Sequence, residues 1–406
     1  MALAPTPTLL LAGRMCMPWV DMVKEKLTTE WEVLTWSEDE PYALFEERAP
    51  RADAIVGGRI DGIWPATPKL KLYQLPFTGL HWLAPKDVAA GCLVCNTYGH
   101  EIAIAEHILT IMLEAENDLA NRSQRFQTRG WADRVQGIGP NHGEVHGKTV
   151  GIIGYGRIGR EVSARAKAFG MTIIATSRTV KPAPDLTWFG TMDELDRLLE
   201  ISDYVVLTLP LANETRGLID AGRFAQMKSN AFMITGPRPS DHETMLYPAL
   251  SEKRIKGAAI DVWYQYASDR KPHRWPSRFP MEKLDNIIMT PHSSGSSNAT
   301  RLRRWSFVAG NLDHLARGEP LDNVCFEGTA PQDDPRGRVT LDLNTTDFTD
   351  SISSGLDLSN LVQRVCRQWS LVYRRGRLLQ FIQRRDTDFN RWQRGIGNDI
   401  PNRQFR

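Results

Sequence analysis

The chain has 406 residues, more than one typical hydrophobic core accommodates, so we expect two domains. A hydrophobic content of 41% and a charged content of 24% are ordinary for a globular protein, and a net charge of only +2 argues against a nucleic-acid partner. The apolar run at 9–12 lacks a basic flank and is too short for a signal peptide or membrane span, so it predicts a first strand. Few, irregularly spaced cysteines favour a reducing compartment, and we expect a cytoplasmic protein with no membrane partner.

Cys92 and Cys95 form a C-x-x-C pattern within an apolar run. No second pair completes a zinc site, so the pattern indicates buried core thiols, and we expect no metal.

Residues 8–100 alternate short β-like runs with helical stretches, which is typical of an α/β domain with a parallel sheet. The strand candidates are 9–13, 31–36, 54–57, 70–75 and 92–95. A long apolar-periodic helix over 101–116 follows, and it is long enough to cross between two domains.

A glycine motif begins the second half of the chain. The β-prone run 150–153 ends in Gly154, Gly156 and Gly159 and opens directly into a helical pattern. Gly154 permits a tight turn, Gly156 lets the backbone approach a pyrophosphate, and Gly159 lets the helix pack closely on the strand. A second β-like run at 171–175 supplies the context that makes this motif specific, so it predicts a dinucleotide site.

The helix start of this motif carries Arg157 and Ile158, and the free N–H groups there would face the phosphates. The end of the next strand reads Thr-Ser-Arg at 176–178, where an NAD site usually carries an acidic residue. Ser177 can hydrogen-bond a 2′-phosphate and Arg178 can pair with it, so we expect NADP, with NAD possible. In the alternative interpretation, Arg178 and Lys181 are solvated loop charges.

The second unit has strand candidates at 150–153, 172–175, 204–209, 231–235, 258–262 and 287–290. A long helix near 297–317 could return the chain to the first domain. We therefore predict an α/β fold with two Rossmann-like lobes. A substrate domain, 1–115 and 296–325, is split by an inserted NAD(P)-binding domain, 116–295. Residues 326–406 form an arginine-rich extension that we expect to be largely flexible and solvated.

Three polar residues stand at the carboxyl ends of the later strands, where open α/β sheets place their ligands. Arg238 follows the strand at 231–235, Asp261 ends the next strand, and His292 follows the last one. Each alone could be a surface arginine, a capping aspartate or a loop histidine. Together, beside a dinucleotide motif, they indicate an active site.

At this point the chain resembles the D-isomer-specific 2-hydroxyacid dehydrogenase family over roughly residues 50–325. The resemblance rests on Gly-Tyr-Gly-Arg-Ile-Gly at 154–159, Asp-Tyr-Val-Val at 203–206, Leu-Pro-Leu at 209–211, Glu-Thr-Arg-Gly at 214–217, Arg238, Ala-Ile-Asp-Val at 259–262, Thr-Pro-His at 290–292, Ile-Ala-Glu-His at 104–107 and Thr78-Gly79. It implies a bilobal fold, a nicotinamide cofactor in the cleft and usually a homodimer. It also implies cofactor contacts at Leu209, Pro210, Thr215 and Asp261, and a carboxylate-binding loop at Thr78 and Gly79.

The residue types fit reduction of a 2-keto acid to a 2-hydroxy acid. Arg238 can hold the carboxylate and carbonyl as a fixed fork, with help from the N–H groups of Thr78 and Gly79. His292, as imidazolium, can supply the proton that the carbonyl oxygen takes up after hydride transfer.

Two departures from the family pattern concern the site. Tyr266 stands where the family places the glutamate that pairs with the histidine, so we expect His292 to donate its proton less well as the pH rises, with Gln265 or Tyr266 orienting the ring. His100 stands at the substrate-asparagine position of the formate dehydrogenase branch, where it either points into the cleft or caps a helix. The alternatives are therefore a cofactor-binding sensor with impaired catalysis, or formate-type oxidation.

Overall fold

The computed structural model describes residues 5–134, 138–210, 213–235, 243–267, 273–331 and 336–338. Within these ranges the strands are β1 Thr8–Ala12, β2 Glu32–Trp36, β3 Ala54–Gly57, β4 Gly62–Trp64, β5 Leu72–Gln74, β6 Leu93–Cys95, β7 Thr149–Ile153, β8 Thr172–Thr176, β9 Trp188–Gly190, β10 Tyr204–Leu207, β11 Phe232–Thr235, β12 Gly257–Ile260, β13 Ile287–Met289, β14 Val324–Glu327 and β15 Arg336–Arg338. The helices are α1 Val20–Lys26, α2 Tyr42–Arg48, α3 Glu101–Asn117, α4 Leu119–Arg129, α5 Arg157–Ala168, α6 Leu195–Ile201, α7 Ala221–Gln226, α8 Glu243–Ser251 and α9 Asn298–Arg317.

The first sheet has the strand order β14-β6-β5-β3-β1-β2. Its strands run parallel except β14, which pairs antiparallel with β6 and places Val324 opposite Cys95. Leu9, Leu10 and Leu11 of β1 are all fully buried. A continuous apolar strand of this kind is expected where both faces of a parallel sheet are covered.

The second sheet has the strand order β13-β12-β11-β10-β7-β8-β9, and every neighbouring pair is parallel. The direction of strand order reverses beside β7, as in doubly wound folds. Because all the strands run the same way, their carboxyl ends meet at one edge of the sheet. The residues that follow β7, β8, β10, β12 and β13 are therefore brought together there.

Helices α3 and α9 connect the two sheets. The carboxylate of Glu116, near the end of α3, binds Lys148 at 2.6 Å and Lys256 at 2.9 Å and also accepts a hydrogen bond from the Tyr204 hydroxyl. Burial alone would raise the pKa of Glu116, but the hydrogen bonds from Lys148, Tyr204 and Lys256 outweigh it and lower that pKa. This ionic cluster fastens the end of the connecting helix to the second lobe.

The strand and helix alternation predicted from the sequence is confirmed, with boundaries displaced by one to three residues in most elements. The predicted fold class, two Rossmann-like lobes with one inserted in the other, is also confirmed.

Four short strands, β4, β9, β14 and β15, were not anticipated. β14 extends the first sheet past residue 325, and Ala330 still accepts a hydrogen bond from the Ala90 N–H. The predicted flexible tail beyond residue 338 lies outside the described residues. Among the helices of the described ranges, none combines the length and the apolar character needed to cross a bilayer.

Candidate active site

The glycine turn after β7 is shaped by close contacts that exclude a side chain. Gly154 has a φ of +99°, and a Cβ there would lie 2.7 Å from Leu209 Cδ2. The Gly154 N–H donates to the Thr176 carbonyl at 2.9 Å, which ties the turn to the end of β8. A Cβ on Gly159 would lie 2.6 Å from the Gly154 carbonyl oxygen, so α5 packs directly on the turn. Both positions therefore require glycine for the reasons that the sequence suggested.

The start of α5 presents backbone N–H donors that no side chain of the described residues caps. Gly156 is the N-cap residue, no side chain caps the helix, and no described atom lies within 4 Å of where a Gly156 Cβ would be. The N–H groups of Arg157 and Ile158 in the first turn have no intrahelical acceptor, and the helix dipole favours an anion beside them. The Arg157 guanidinium lies 4.2 Å from the centre of the Tyr98 ring, and both residues line a cavity of about 590 Å³.

The segment after β8 carries a positively charged side chain that can bind an anion. Ser177 is half-buried and its N–H donates to the Gly190 carbonyl at 3.2 Å. Arg178 is exposed, and no ion pair or hydrogen bond engages its guanidinium anywhere in the described ranges. An unengaged guanidinium at this strand end can pair with a phosphate.

The segment after β10 lies against the glycine turn. Thr208 donates from its hydroxyl to the Gly154 carbonyl at 2.5 Å, and Leu209 fills the space beside that glycine. The Thr215 hydroxyl donates to the Pro210 carbonyl at 2.8 Å. The structure thus places Leu209 next to the glycine turn and Pro210 immediately after it.

Asp261, at the end of β12, holds the loop that follows β13. One carboxylate oxygen accepts from the Thr290 hydroxyl at 2.6 Å and the Ser293 N–H at 2.9 Å. The other accepts from the Ser294 N–H at 3.1 Å and the Ser294 hydroxyl at 2.5 Å. Burial alone would raise the pKa of Asp261, which is 4% exposed, but these hydrogen bonds outweigh it and lower the pKa. An ionised Asp261 therefore clamps both sides of residue 292.

His292 lies within that clamped loop in a left-handed conformation, with a φ of +56°. Such a conformation costs about 1–3 kcal/mol for a residue other than glycine, and it persists where surrounding contacts fix it. The Tyr266 hydroxyl lies 2.9 Å from His292 Nδ1 and also accepts from the Trp263 N–H at 3.1 Å. The Trp263 indole N–H donates to the Thr290 carbonyl at 2.7 Å. The segment after β12 thus fixes both the backbone and the ring of His292, whose side chain is exposed.

Gln265, the other residue considered for orienting this ring, is engaged elsewhere. Its side-chain oxygen accepts from Arg274 Nε at 2.5 Å, and within the described ranges it makes no hydrogen bond to His292.

The loop with Thr78 and Gly79 is fixed by the segment after β6. The Thr78 hydroxyl donates to the Thr97 carbonyl at 2.8 Å, and the Asn96 side chain donates to the Thr78 carbonyl at 3.0 Å. In the described part of the chain the backbone N–H groups of Thr78 and Gly79 have no acceptor, and the space where a Gly79 Cβ would lie is open. Two backbone donors on a fixed loop can receive a carboxylate.

His100 occupies the N-cap position of α3, but its side chain makes no capping hydrogen bond. It packs beside the loop that carries His292, since its Cβ lies 3.4 Å from where a Gly295 Cβ would be. Burial and the nearby Arg304 charge lower the pKa of His100, while Glu101 opposes this effect. The helix-cap interpretation therefore has no hydrogen bond to support it.

Arg238, the predicted substrate-binding arginine, lies outside the described residues. Sequence reasoning missed Ser293 and Ser294, although two serines directly after a candidate catalytic histidine were a usable signal for side-chain hydrogen bonding. It also missed Glu101 and Arg304, whose charges act on the predicted site residue His100. Within the described ranges each of the three has a buried side-chain atom with no hydrogen-bond partner. No group of three potential metal ligands occurs in the part of the chain that the structure describes.

Comparison with known proteins gives one matching family model, described as D-isomer specific 2-hydroxyacid dehydrogenase, NAD binding domain, over residues 109–294. A glyoxylate reductase of Pyrococcus horikoshii is 32% identical over 307 residues, which cover 72% of this chain and 89% of that protein. A D-3-phosphoglycerate dehydrogenase of Methanocaldococcus jannaschii is 33% identical over 247 residues, 60% of this chain, and the match spans only 45% of that relative's length.

Among solved structures, an NADPH-dependent glyoxylate/hydroxypyruvate reductase of Sinorhizobium meliloti, in complex with NADP and malonate, superposes with a TM-score of 0.62. It is 21% identical, and the match covers 82% of this chain and 99% of that one. At this identity the likeness concerns the fold.

Proposed function

The chain belongs to the D-isomer-specific 2-hydroxyacid dehydrogenase family and is an NAD(P)-binding oxidoreductase of CH–OH groups; from this premise we propose that it reduces a 2-keto acid to a 2-hydroxy acid with NADPH. One observation carries the proposal. The glycine turn after β7, the unengaged Arg178 after β8 and the clamped His292 after β13 all lie at the same edge of one parallel sheet.

The cofactor fits the residues present. The free N–H groups at the start of α5 and the open space at Gly156 suit a pyrophosphate. Ser177 and Arg178 suit the 2′-phosphate that distinguishes NADP from NAD. When bound, the nicotinamide supplies the hydride. The Sinorhizobium meliloti protein with this fold was solved with NADP, which agrees with the proposal.

The chain's own residues orient the substrate and provide the proton. The free N–H groups of Thr78 and Gly79 receive the substrate carboxylate, and Arg238 is proposed to hold carboxylate and carbonyl together. His292, fixed by the Asp261 clamp, donates a proton from Nε2 to the developing alkoxide while Nδ1 faces Tyr266. His100 lies on the substrate side, next to the His292 loop. The relatives named glyoxylate reductase indicate a small 2-keto acid as the first substrate to test.

We also propose a substrate domain of residues 1–115 and 296–325, an inserted NAD(P)-binding domain of residues 116–295 and an extension over 326–406, the start of which β14 joins to the first sheet. We further propose a homodimer in a reducing, cytoplasmic compartment. Large apolar side chains on and after α4 support the dimer: Leu119 is 66% exposed, Phe126 53%, Trp131 60% and Ile138 64%. An exposed apolar cluster of this kind marks an interaction surface. The described cysteines are all free thiols, which suits a reducing location.

The test is a substrate panel with purified protein. Oxidation of NADPH is followed with glyoxylate, hydroxypyruvate and phenylpyruvate, and reduction of NADP⁺ is followed with formate. Turnover of keto acids that disappears in His292→Ala supports the proposal. NADPH binding without turnover of any substrate would favour a sensor, and turnover of formate alone would favour the formate-type reaction.

The cofactor preference has its own test. Arg178→Ser should weaken NADPH binding about 10- to 100-fold, because one charge-assisted contact of about 1.5–3 kcal/mol is lost, and should leave NADH binding nearly unchanged. Lys181→Ser removes an equal charge from the same loop and serves as the matched control. Equal losses of NADPH affinity in the two variants would mean that the positive charge of the loop, and no specific contact of Arg178, attracts the cofactor. The proposed preference for NADP would then lose its support.

A further inference from the structure

We propose that Tyr266 is the positioning residue for His292, so that this enzyme uses a tyrosine–histidine pair with a neutral partner in place of a carboxylate. The inference rests on the proposed function, in which His292 donates the proton. It is carried by the 2.9 Å contact between the Tyr266 hydroxyl and His292 Nδ1 and by the contacts that hold that hydroxyl.

The Tyr266 hydroxyl is itself fixed in place. It accepts a hydrogen bond from the Trp263 N–H at 3.1 Å, three residues earlier in the same segment. Trp263 is 5% exposed, and its indole N–H is anchored to the Thr290 carbonyl at 2.7 Å. The phenol oxygen is therefore held by a backbone donor of its own segment. The Tyr266 ring plane is inclined at 52° to the His292 imidazole, and the ring centres are 5.6 Å apart.

The imidazole of His292 needs a hydrogen-bond partner of its own. The Asp261 clamp fixes the main chain on both sides of residue 292, but the imidazole is exposed and no clamp bond reaches it. Without a partner at Nδ1, rotation about the side-chain bonds would move Nε2 away from the substrate. The Tyr266 contact directs Nε2 to the opposite side of the ring, away from the segment after β12.

The chemistry of a phenol differs from that of a carboxylate in one respect that an experiment can measure. A phenol accepts from a protonated Nδ1 or donates to a bare one, so it orients the ring in both protonation states. A carboxylate only accepts, and its charge stabilises imidazolium. A tyrosine partner therefore orients the donor without placing a negative charge beside it.

The other ionisable groups around this loop are few in the described ranges. Asp261 faces the backbone of residues 293 and 294, and His107 Nε2 lies 3.5 Å from the Thr290 hydroxyl. His100 packs at Gly295, and Arg274 lines a cavity of about 360 Å³ together with Tyr266. All of these groups remain unchanged in the variants below, so a difference between the variants reports the partner of Nδ1.

Three variants in the full-length chain test the pair. Tyr266→Phe removes the hydroxyl, Tyr266→Glu introduces the carboxylate of the family pattern, and Tyr264→Phe is the matched control. Tyr264 lies two residues away, and its buried hydroxyl has no hydrogen-bond partner among the described residues. Keto-acid reduction with NADPH is measured from acid to alkaline pH, and the imidazole signal of His292, assigned with His292→Ala, is titrated by NMR in the NADPH complex.

We expect Tyr266→Phe to lower kcat on the order of 10-fold or more with KM nearly unchanged, because orientation is lost and binding is not. Tyr266→Glu should recover much of that loss and move the alkaline limb of the profile, and the His292 NMR titration with it, upward by about one pH unit or more. Tyr264→Phe should match the wild type.

Two results would overturn the inference: Tyr266→Phe behaving like Tyr264→Phe in both kcat and NMR titration, or Tyr266→Glu leaving the His292 titration where it is in the wild type. If the wild type reduces no keto acid, the proposed function fails, and the NMR titration still decides whether Tyr266 and His292 are paired.

Discussion

Replacing Asp261 by asparagine should destabilise the protein and misplace His292. The side chain keeps its size, but one of its two oxygens becomes an NH₂ group. In either amide orientation, the N–H of Ser293 or of Ser294 then faces a donor in place of an acceptor.

The magnitude follows from the four hydrogen bonds that the carboxylate accepts. A hydrogen bond to a charged group contributes about 1.5–3 kcal/mol, and a buried donor left unpaired costs about 1–3 kcal/mol. On the atom that becomes NH₂ the backbone bond is lost, and the hydroxyl bond survives only if the hydroxyl turns to accept; the two bonds to the remaining oxygen lose their charge assistance. The expected loss is about 3 kcal/mol in the free energy of unfolding at neutral pH. Release of the left-handed loop should also lower kcat by about 100-fold through misplacement of His292.

The pH dependence has a definite sign. The pKa of Asp261 is lower in the folded chain, so its contribution is present above the unfolded value of about 3.9 and is lost as the pH falls through the folded pKa. The difference in unfolding free energy between wild type and Asp261→Asn should therefore be largest near neutral pH and shrink below about pH 4.

Urea unfolding from neutral pH down to about pH 3 measures this difference. Asp285→Asn is the control: the Asp285 side chain is 74% exposed and pairs with Lys253, which is 68% exposed, so the stability of this variant should match the wild type. An Asp261→Asn protein with wild-type stability but much weaker NADPH binding would refute the clamp and assign the carboxylate to the cofactor.

Three further predictions concern the connecting helices and the glycine turn. Glu116→Gln should lower the free energy of unfolding by about 3 kcal/mol near neutral pH, measured by urea unfolding. The difference from the wild type should shrink in acid, because the pKa of Glu116 is lowered in the folded chain. A difference that stays constant at every pH would contradict this. Arg304→Met should leave thermal stability unchanged or raise it, since Arg304 Nε is buried and has no hydrogen-bond partner in the described ranges. Arg303→Met should lower thermal stability by losing the 3.0 Å bond to the Gly99 carbonyl. Equal losses in the two variants would show that Arg304 has a stabilising partner. Gly159→Ala should lower the free energy of unfolding by about 2–3 kcal/mol, because the added Cβ would lie 2.6 Å from the Gly154 carbonyl oxygen. Gly156→Ala adds a Cβ in open space, so it should unfold like the wild type but bind NADPH more weakly, as measured by cofactor fluorescence. Tight NADPH binding by Gly156→Ala would mean that the pyrophosphate does not bind at this turn.

Much of the fold followed from local sequence patterns. Apolar runs of strand length, separated by helical stretches, predicted the parallel α/β arrangement, and the glycine spacing predicted the turn at Gly154. The missed strand β14 shows the limit of such patterns. Val324–Glu327 is short and has mostly exposed side chains, and it becomes a strand only because β6 offers an open edge.

In the candidate site, too, the local features could be predicted from the sequence and the long-range contacts could not. The positions of Asp261 and His292 at strand ends could be read from the sequence, because a strand end is a local feature. Their partners could not. Ser294 is 33 residues from Asp261 in the chain, and Tyr266 is 26 residues from His292. These contacts exist because β12 and β13 are neighbours in the sheet.

The sequence by itself determined the alternation of strands and helices, the glycine turn and the chemical types available at the sheet edge, since each depends on residues within a few positions of one another. Only the tertiary structure decided that Asp261 clamps the loop around His292, that Tyr266 and not Gln265 contacts its ring, and that the His100 side chain makes no capping hydrogen bond at the start of α3. The physical reason is that a hydrogen bond needs two groups within about 3 Å, and which distant groups come that close is set by the packing of the whole chain.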